Sequence, residues 1–147
     1  MYQKVKFSLM VLFFVVLLLG AANAGPVAVI SPNGGEDLTS GQVWNVQVSI
    51  DYESLWYKPA KYRLSYWCRD PEVSKSWKMI TDRYCSALGC PTSYLWEVPS
   101  VERYADADDI RDCKVRVQLY NANGAATAKD VSDSLFKIHP YVPIDNR

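Results

Sequence analysis

The chain has 147 residues, 16 Lys and Arg against 16 Asp and Glu, and 49% hydrophobic residues. A balanced charge excludes recognition of nucleic acid through a bulk excess of Lys and Arg, so no nucleic acid partner is expected. Length and apolar content suit one compact domain with a real core, and no repeat, low-complexity segment or linker divides it.

The first segment reads as a secretion leader. Lys4 and Lys6 form a short positive region, Leu9 to Gly20 is an almost unbroken apolar run, and Ala22, Asn23 and Ala24 supply a small-x-small cleavage site. Cleavage is expected after Ala24, giving a signal peptide over 1–24 and a single domain over 25–147. The apolar run falls short of the roughly 20 residues that span a hydrocarbon core, so no membrane span is expected in the mature chain. Loss of the two leader lysines leaves 14 basic (16 − 2) against 16 acidic residues, a slightly acidic mature protein. With no cysteine after the small residues and a polar 143–147 segment, lipid modification at either end is not expected. The protein should be secreted or periplasmic, and soluble.

Beyond the leader, Ile30 to Glu36 reads ISPNGGE, a turn signature. Pro32 presets the turn, Gly34 and Gly35 permit positive backbone angles, and the Asn33 side chain suits local hydrogen bonding. A first strand is expected around Val27 to Ile30. From Val43 the apolar residues fall at period two, Trp44, Val46, Val48 and Ile50 against Asn45, Gln47 and Ser49, which is a half-buried strand. Asp51 to Ala60 is a long loop carrying Trp56 and Tyr57. Tyr62, Leu64, Tyr66 and Cys68 then alternate with Arg63, Ser65 and Trp67, and a shorter strand follows around Trp77 to Ile80. Tyr94, Trp96 and Val98 alternate until Pro99, which cannot donate to a sheet ladder. Cys113, Val115, Val117 and Leu119 alternate with Lys114, Arg116 and Gln118. A turn at Asn121 to Gly124 and a last strand at Phe136 and Ile138 complete the pattern.

These features describe an all-β chain of about seven short strands, most simply two antiparallel sheets packed as a β-sandwich with Greek-key connections. Such a sandwich would bury Trp44, Trp77 and Trp96 between its sheets. The four cysteines, Cys68, Cys85, Cys90 and Cys113, all lie in the exported part, where an even count suggests two disulfides. Sequence alone leaves three connectivities open. If the strands ending at Cys68 and beginning at Cys113 are antiparallel neighbours, as third and sixth strands are in this architecture, those two sulfurs meet and Cys85 is left with Cys90. Zinc is disfavoured because no paired Cys-x-x-Cys units or nearby histidine exist. A redox pair at Cys85 and Cys90 lacks the usual spacing.

The opening SPNGGE with Gly41 and Trp44, the middle YLWEVP, the strand CKVRV and the closing DVSDSLFKI together resemble a family of immunoglobulin-like or fibronectin-III-like modules. Such modules occur in secreted and surface proteins of bacteria and archaea, and a similar one begins certain fungal cell-wall and serine/threonine-rich GPI-anchored proteins. The resemblance implies an attachment, spacing or adhesion module rather than a catalyst. The chain departs from that pattern at Arg69 to Ser76, in its four cysteines and in the 51–60 insertion.

Chemistry-bearing residues are sparse. His139 is the only histidine and no serine sits in a Gly-x-Ser-x-Gly elbow, so no enzyme is expected. The acidic loop with Asp106, Asp108, Asp109 and Asp112 is the one candidate for calcium, particularly through Asp106, Asp108 and Asp112, since hard cations take several oxygen ligands. It lacks the glycine and terminal glutamate of an EF-hand loop, and a solvated acidic turn explains it more simply. No other cofactor is expected. Trp56, Tyr57 and Trp67 are the candidate ligand-binding residues, because exposed rings stack on sugars or anchor protein interfaces. The leading functional expectation is a secreted, non-catalytic binding or adhesion module at the cell surface, contacting polysaccharide or protein. A structural subunit assembling through sheet edges is the second class, and a small secreted enzyme or inhibitor the third. The oligomeric state is open.

Overall fold

The computed structural model describes residues 25–69, 76–100 and 110–141; the leader at 1–24, most of the 69–76 segment, and Asp106, Asp108 and Asp109 lie outside them. Nine strands and no helix occur among the described residues: β1 (Val27–Ser31), β2 (Asp37–Thr39), β3 (Val43–Ile50), β4 (Lys61–Cys68), β5 (Lys78–Tyr84), β6 (Ser93–Glu97), β7 (Arg111–Tyr120), β8 (Ala126–Val131) and β9 (Phe136–His139). Five of them sit where period-two patterning puts them. The chain carries two strands beyond the expected seven because β2 is too short to show a period and β8, reading ATAKDV, has no apolar alternation.

β1, β3 and β6 form one sheet in the order β1-β3-β6, and the second runs β2-β9-β7-β4-β5 with β8 also paired to β7. All pairs are antiparallel except β2 with β9. This order, with strands switching sheets between β3 and β4 and between β5 and β6, is that of an immunoglobulin-like or fibronectin-III-like sandwich.

Alternation decides which side chains meet. Val27, Val29, Val46, Val48 and Trp96 of the smaller sheet face Tyr62, Leu64, Val115, Val117, Leu119, Phe136 and Ile138 of the larger one, all buried. Full burial of each such side chain is worth about 1.5–3 kcal/mol. Trp96 packs edge-on against Phe136 at 6.5 Å and tilted against Tyr66 at 5.2 Å. Trp44 is half-buried and donates its indole N–H to Ser31 Oγ at 3.2 Å. Trp77 departs from expectation. It precedes β5 and lies on the outer face of the larger sheet, its ring 4.2 Å from the Arg116 guanidinium carbon. Flanked by polar residues, Trp77 had no alternating partners to declare its side.

Both disulfides are formed, Cys68–Cys113 and Cys85–Cys90, with sequence separations of 45 and 5. Cys68 and Cys113 stand directly opposite in the β4–β7 ladder.

The opening and closing turns clasp each other. Asp133 N donates to Asn33 Oδ1 at 2.7 Å and Asn33 Nδ2 to Asp133 Oδ2 at 3.0 Å, across 100 residues. Ser134 N and Gly35 N add bonds to Asn33 O and Leu135 O, each at 3.0 Å. The Glu36 carboxylate accepts from Asn33 N at 2.8 Å and Gly34 N at 2.7 Å, which closes the turn on itself. Asp130 works between the sheets, its Oδ2 accepting from Val29 N at 2.8 Å.

A Cβ on Gly34 would lie 2.2 Å from Ser134 Cβ at φ +130, whereas one on Gly35, φ +83, would meet nothing within 4 Å. Gly34→Ala should therefore cost more than about 2 kcal/mol in urea unfolding and Gly35→Ala about 1 kcal/mol; equal costs would show that the clasp can open. Removing Cys68 and Cys113 together should lower stability by about 4 kcal/mol, and removing Cys85 and Cys90 by about 2 kcal/mol, in line with their loop lengths. Urea midpoints of the two double alanine variants decide the order.

Candidate functional site

Register places several connections at one end of the sandwich. Lys61 pairs with Tyr84 and with Tyr120, so β4 starts where β5 and β7 finish. Gln47 pairs with Ser93, which brings the end of β3 to the start of β6. The loop over 51–60, the disulfide loop over 85–90 and the turn over 121–125 consequently meet.

Hydrogen bonds hold that end. Asp51 is the pivot of the first loop, accepting from Glu53 N at 3.0 Å and from the Ser54 hydroxyl. The Ser54 hydroxyl, followed by the two backbone donors, keeps the Asp51 carboxyl below its ordinary pKa. Tyr52 Oη accepts from Cys90 N at 2.7 Å, and Lys58 Nζ donates to Ala87 O at 3.1 Å, so the 51–60 loop grips both sides of the disulfide loop. A Cβ on Gly89, φ +118, would come 2.7 Å from Tyr52 Oη, which explains glycine there. Ala60 N to Tyr120 O and Cys85 N to Ala60 O, each 2.9 Å, fasten the loop to the larger sheet.

From this ordered end project Trp56, 84% exposed, Leu88, 100% exposed, and Tyr84, 82% exposed. Keeping large apolar groups in water opposes burial, so a tied loop that displays them is a feature to be explained. Tyr57 packs against Trp56 at 5.0 Å, nearly edge-on, and its hydroxyl is buried with no partner among the described residues. Trp56 and Tyr57 are thus together as the sequence suggests. Trp67 is not with them: it stands six positions along β4 from Lys61, about 20 Å at strand rise, opposite Lys114 and beside the Cys68–Cys113 bridge. Tyr84 and Leu88 escaped sequence reasoning. Leu88 had a signal, being the one large apolar residue between two cysteines in a glycine-containing turn.

The outer face of the larger sheet is a second surface. Tyr84, Lys61 and Tyr120 form one cross-strand row; Asp82, Arg63, Gln118 and Lys129 form the next; Met79, Ser65, Arg116 and Val131 the third. Lys61 Nζ lies 5.8 Å from the Tyr84 ring centre and 5.9 Å from that of Tyr120, and the Arg63 guanidinium lies 5.4 Å from Tyr120. Asp82 Oδ2 bridges Lys61 at 3.0 Å and Arg63 at 2.8 Å. Desolvation works to raise the Asp82 pKa, but the hydrogen bonds from Arg63 and Lys61 prevail and hold it below its ordinary value. The same bond to Asp82 raises that of Arg63. Arg116 donates from Nε to Ser65 Oγ at 3.2 Å, and desolvation lowers its pKa.

His139 Nε2 meets Asp37 Oδ1 at 2.8 Å where β2 runs beside β9, and this contact leads the causes that lower the Asp37 pKa. It joins two strand ends. Among the described residues no three His, Cys, Asp or Glu side chains converge as for a metal. Asp112, the described member of the calcium candidate, lies on β7 opposite Lys137; Asp106 and Asp108 lie outside the described residues. No helix among the described residues is long and apolar enough to cross a membrane.

No protein-family model and no curated protein matches the chain. Among solved structures, the fibronectin(III)-like modules of CbhA from Clostridium thermocellum align with 78% of this chain and 94% of their own, at 14% identity and a TM-score of 0.44. A similarity that low transfers no residue roles, and the architecture rests on the strand order itself.

The lowered pKa of Asp82 gives a pH dependence with a defined sign. A depressed carboxyl stabilises the fold above its ordinary pKa of 3.8 and loses that contribution as pH falls through the lower folded value. Asp82→Asn should therefore be less stable than the parent near pH 7, with the gap closing below about pH 4. Urea unfolding at both pH values reads it; a gap that persists in acid would assign the loss to packing.

Proposed function

We propose that this chain is a secreted, non-catalytic binding or adhesion module of the extracellular space or cell surface, and that it contacts polysaccharide or protein through the loop-built end bearing Trp56. The carrying observation is Trp56 itself, 84% exposed on a loop that hydrogen bonds fix to the Cys85–Cys90 disulfide loop. A rigid, exposed ring binds with little ordering cost, which is how aromatic anchors work on sugars and at protein interfaces. Two formed disulfides fit an oxidising compartment, in keeping with the leader. The resemblance of SPNGGE and DVSDSLFKI to modules of secreted and surface proteins supports the same reading. Calcium at Asp106, Asp108 and Asp112 is an accessory proposal, open to titration.

Assembly through sheet edges is the second reading, favoured by β5, a seven-residue edge strand. Lys78, Asp82 and Arg83 place charges along it, a common device against edge pairing. Binding to a partner of different chemistry is the better use of this surface.

Trp56→Ala should leave the unfolding midpoint nearly unchanged and weaken capture on cell-wall polysaccharide or surface-protein fractions by about tenfold or more, the loss typical of an aromatic anchor. Capture that is unchanged in Trp56→Ala and Leu88→Ala discards the loop end as the binding surface, and a strictly monomeric elution of the parent discards edge assembly.

A further inference from the structure

The cations of this protein are distributed unevenly. Cross-strand register puts Lys61, Arg63, Lys114, Arg116, Lys129 and Lys137 on the outer face of the larger sheet, with Asp37, Asp82 and Asp112 as the carboxylates there among the described residues. That excess of three positive charges (6 − 3) sits on a chain whose formal net charge is zero. A solvated face of a neutral protein ordinarily mixes its signs. Asp82 is shared between Lys61 and Arg63, so the pair is only half neutralised. Lys114 Nζ donates to the carbonyls of Ser132 and Asp133 at 3.1 and 3.3 Å, contacts that hold it without cancelling its charge.

Rings alternate with those cations. Lys61 lies between Tyr84 and Tyr120, Arg63 over Tyr120 and Arg116 over Trp77, while Trp67 stands opposite Lys114. A guanidinium stacked on a ring has its plane fixed and its N–H edge turned outward, the arrangement that meets carboxylate or sulfate oxygens in pairs. Arg63 Nε is buried without a partner among the described residues and its Nη2 donates to Asp82 at 2.8 Å, so an anion would meet the remaining N–H groups of this guanidinium. β4 and β7, which carry Arg63 and Arg116, are paired on both sides, so recognition over them falls to side chains.

We propose that this face binds an acidic polysaccharide, its carboxylate or sulfate groups on Arg63 and Lys129 of one row and Arg116 of the next, and its sugar faces against Tyr84 and Tyr120. Successive rows are about 7 Å apart and neighbouring strands about 4.8 Å apart, a grid commensurate with the repeat of a sugar polymer. The alternation of rings with cations favours a sugar acid over an acidic peptide, and the slightly acidic mature chain disfavours nucleic acid. The inference rests on the reading of the protein as an extracellular binding module, but uses the outer face of the larger sheet, which meets the Trp56 end at Tyr84.

The disulfide-bonded secreted chain would be titrated with polygalacturonate, carrying carboxylates, and dextran sulfate, carrying sulfates, beside unmodified dextran and duplex DNA. At least one acidic polymer should bind, weakening by about fivefold or more between 50 and 300 mM NaCl as screening shortens the reach of exposed charges; which one binds identifies the anionic group. Lys129→Gln and Arg63→Gln should each weaken it about threefold, the scale of one exposed charge contact. Gln47→Glu makes the same change in net charge on the opposite sheet and should leave binding intact. Equal weakening by Gln47→Glu, or DNA binding as tight as that of the acidic polymer, would reduce the face to nonspecific attraction and overturn the proposal. Failure of both acidic polymers with intact Trp56-dependent capture sinks this inference alone; loss of the Trp56 effect with acidic binding retained sinks only the loop-end reading.

Discussion

The β4–β7 ladder is the constraint from which the rest follows. Eight residue pairs, from Lys61 with Tyr120 to Cys68 with Cys113, set two strands side by side, and the disulfide closes the last pair. Side chains alternate across a strand, so this register simultaneously assigns an inner and an outer face. Inward it stacks Tyr62 and Leu64 against Val117 and Leu119 in the core. Outward it lines up Lys61, Arg63, Ser65 and Trp67 with Tyr120, Gln118, Arg116 and Lys114. A slip of one residue would bury the charges and expose the core, a change costly enough that the bulge in β5 between its pairings to Leu64 and Ser65 is absorbed at the sheet edge instead.

Two devices fasten the remainder to that ladder. At one end, the Asn33–Asp133 clasp joins the turn after β1 to the turn before β9, with Gly34 allowing the Ser134 backbone to approach. At the other, Tyr52 and Lys58 bind the 51–60 loop to the short disulfide loop. The 51–60 loop and the Cys85–Cys90 loop therefore form one unit. Each restrains the other, and together they support the exposed Trp56 and Leu88.

Charge and shape divide the surface between two chemistries. The loop end offers apolar rings on an ordered base, suited to uncharged partners. The outer face of the larger sheet offers cations close to rings, where Asp82 sets the spacing of Lys61 and Arg63 by bridging them.

The sequence by itself determined the strand content, the sandwich class, the even disulfide count and the turn at SPNGGE, because period-two burial, proline and glycine act through neighbouring residues. The exposure of Trp56 was legible for the same reason, since it stands in a polar loop where no alternation could bury it, whereas Tyr57 is half-buried with its hydroxyl inside. Only the tertiary structure decided what depends on distant partners. It added β2, whose three residues gain their hydrogen bonds from β9, and β8, a polar segment that is a strand only because β7 lies beside it. It turned Trp77 outward onto Arg116, separated Trp67 from Trp56 along β4, and gathered cations from four strands onto one face of a neutral chain. Local pattern specifies which residues alternate, but register with strands tens of residues away specifies which side each alternation faces and what stands next to it.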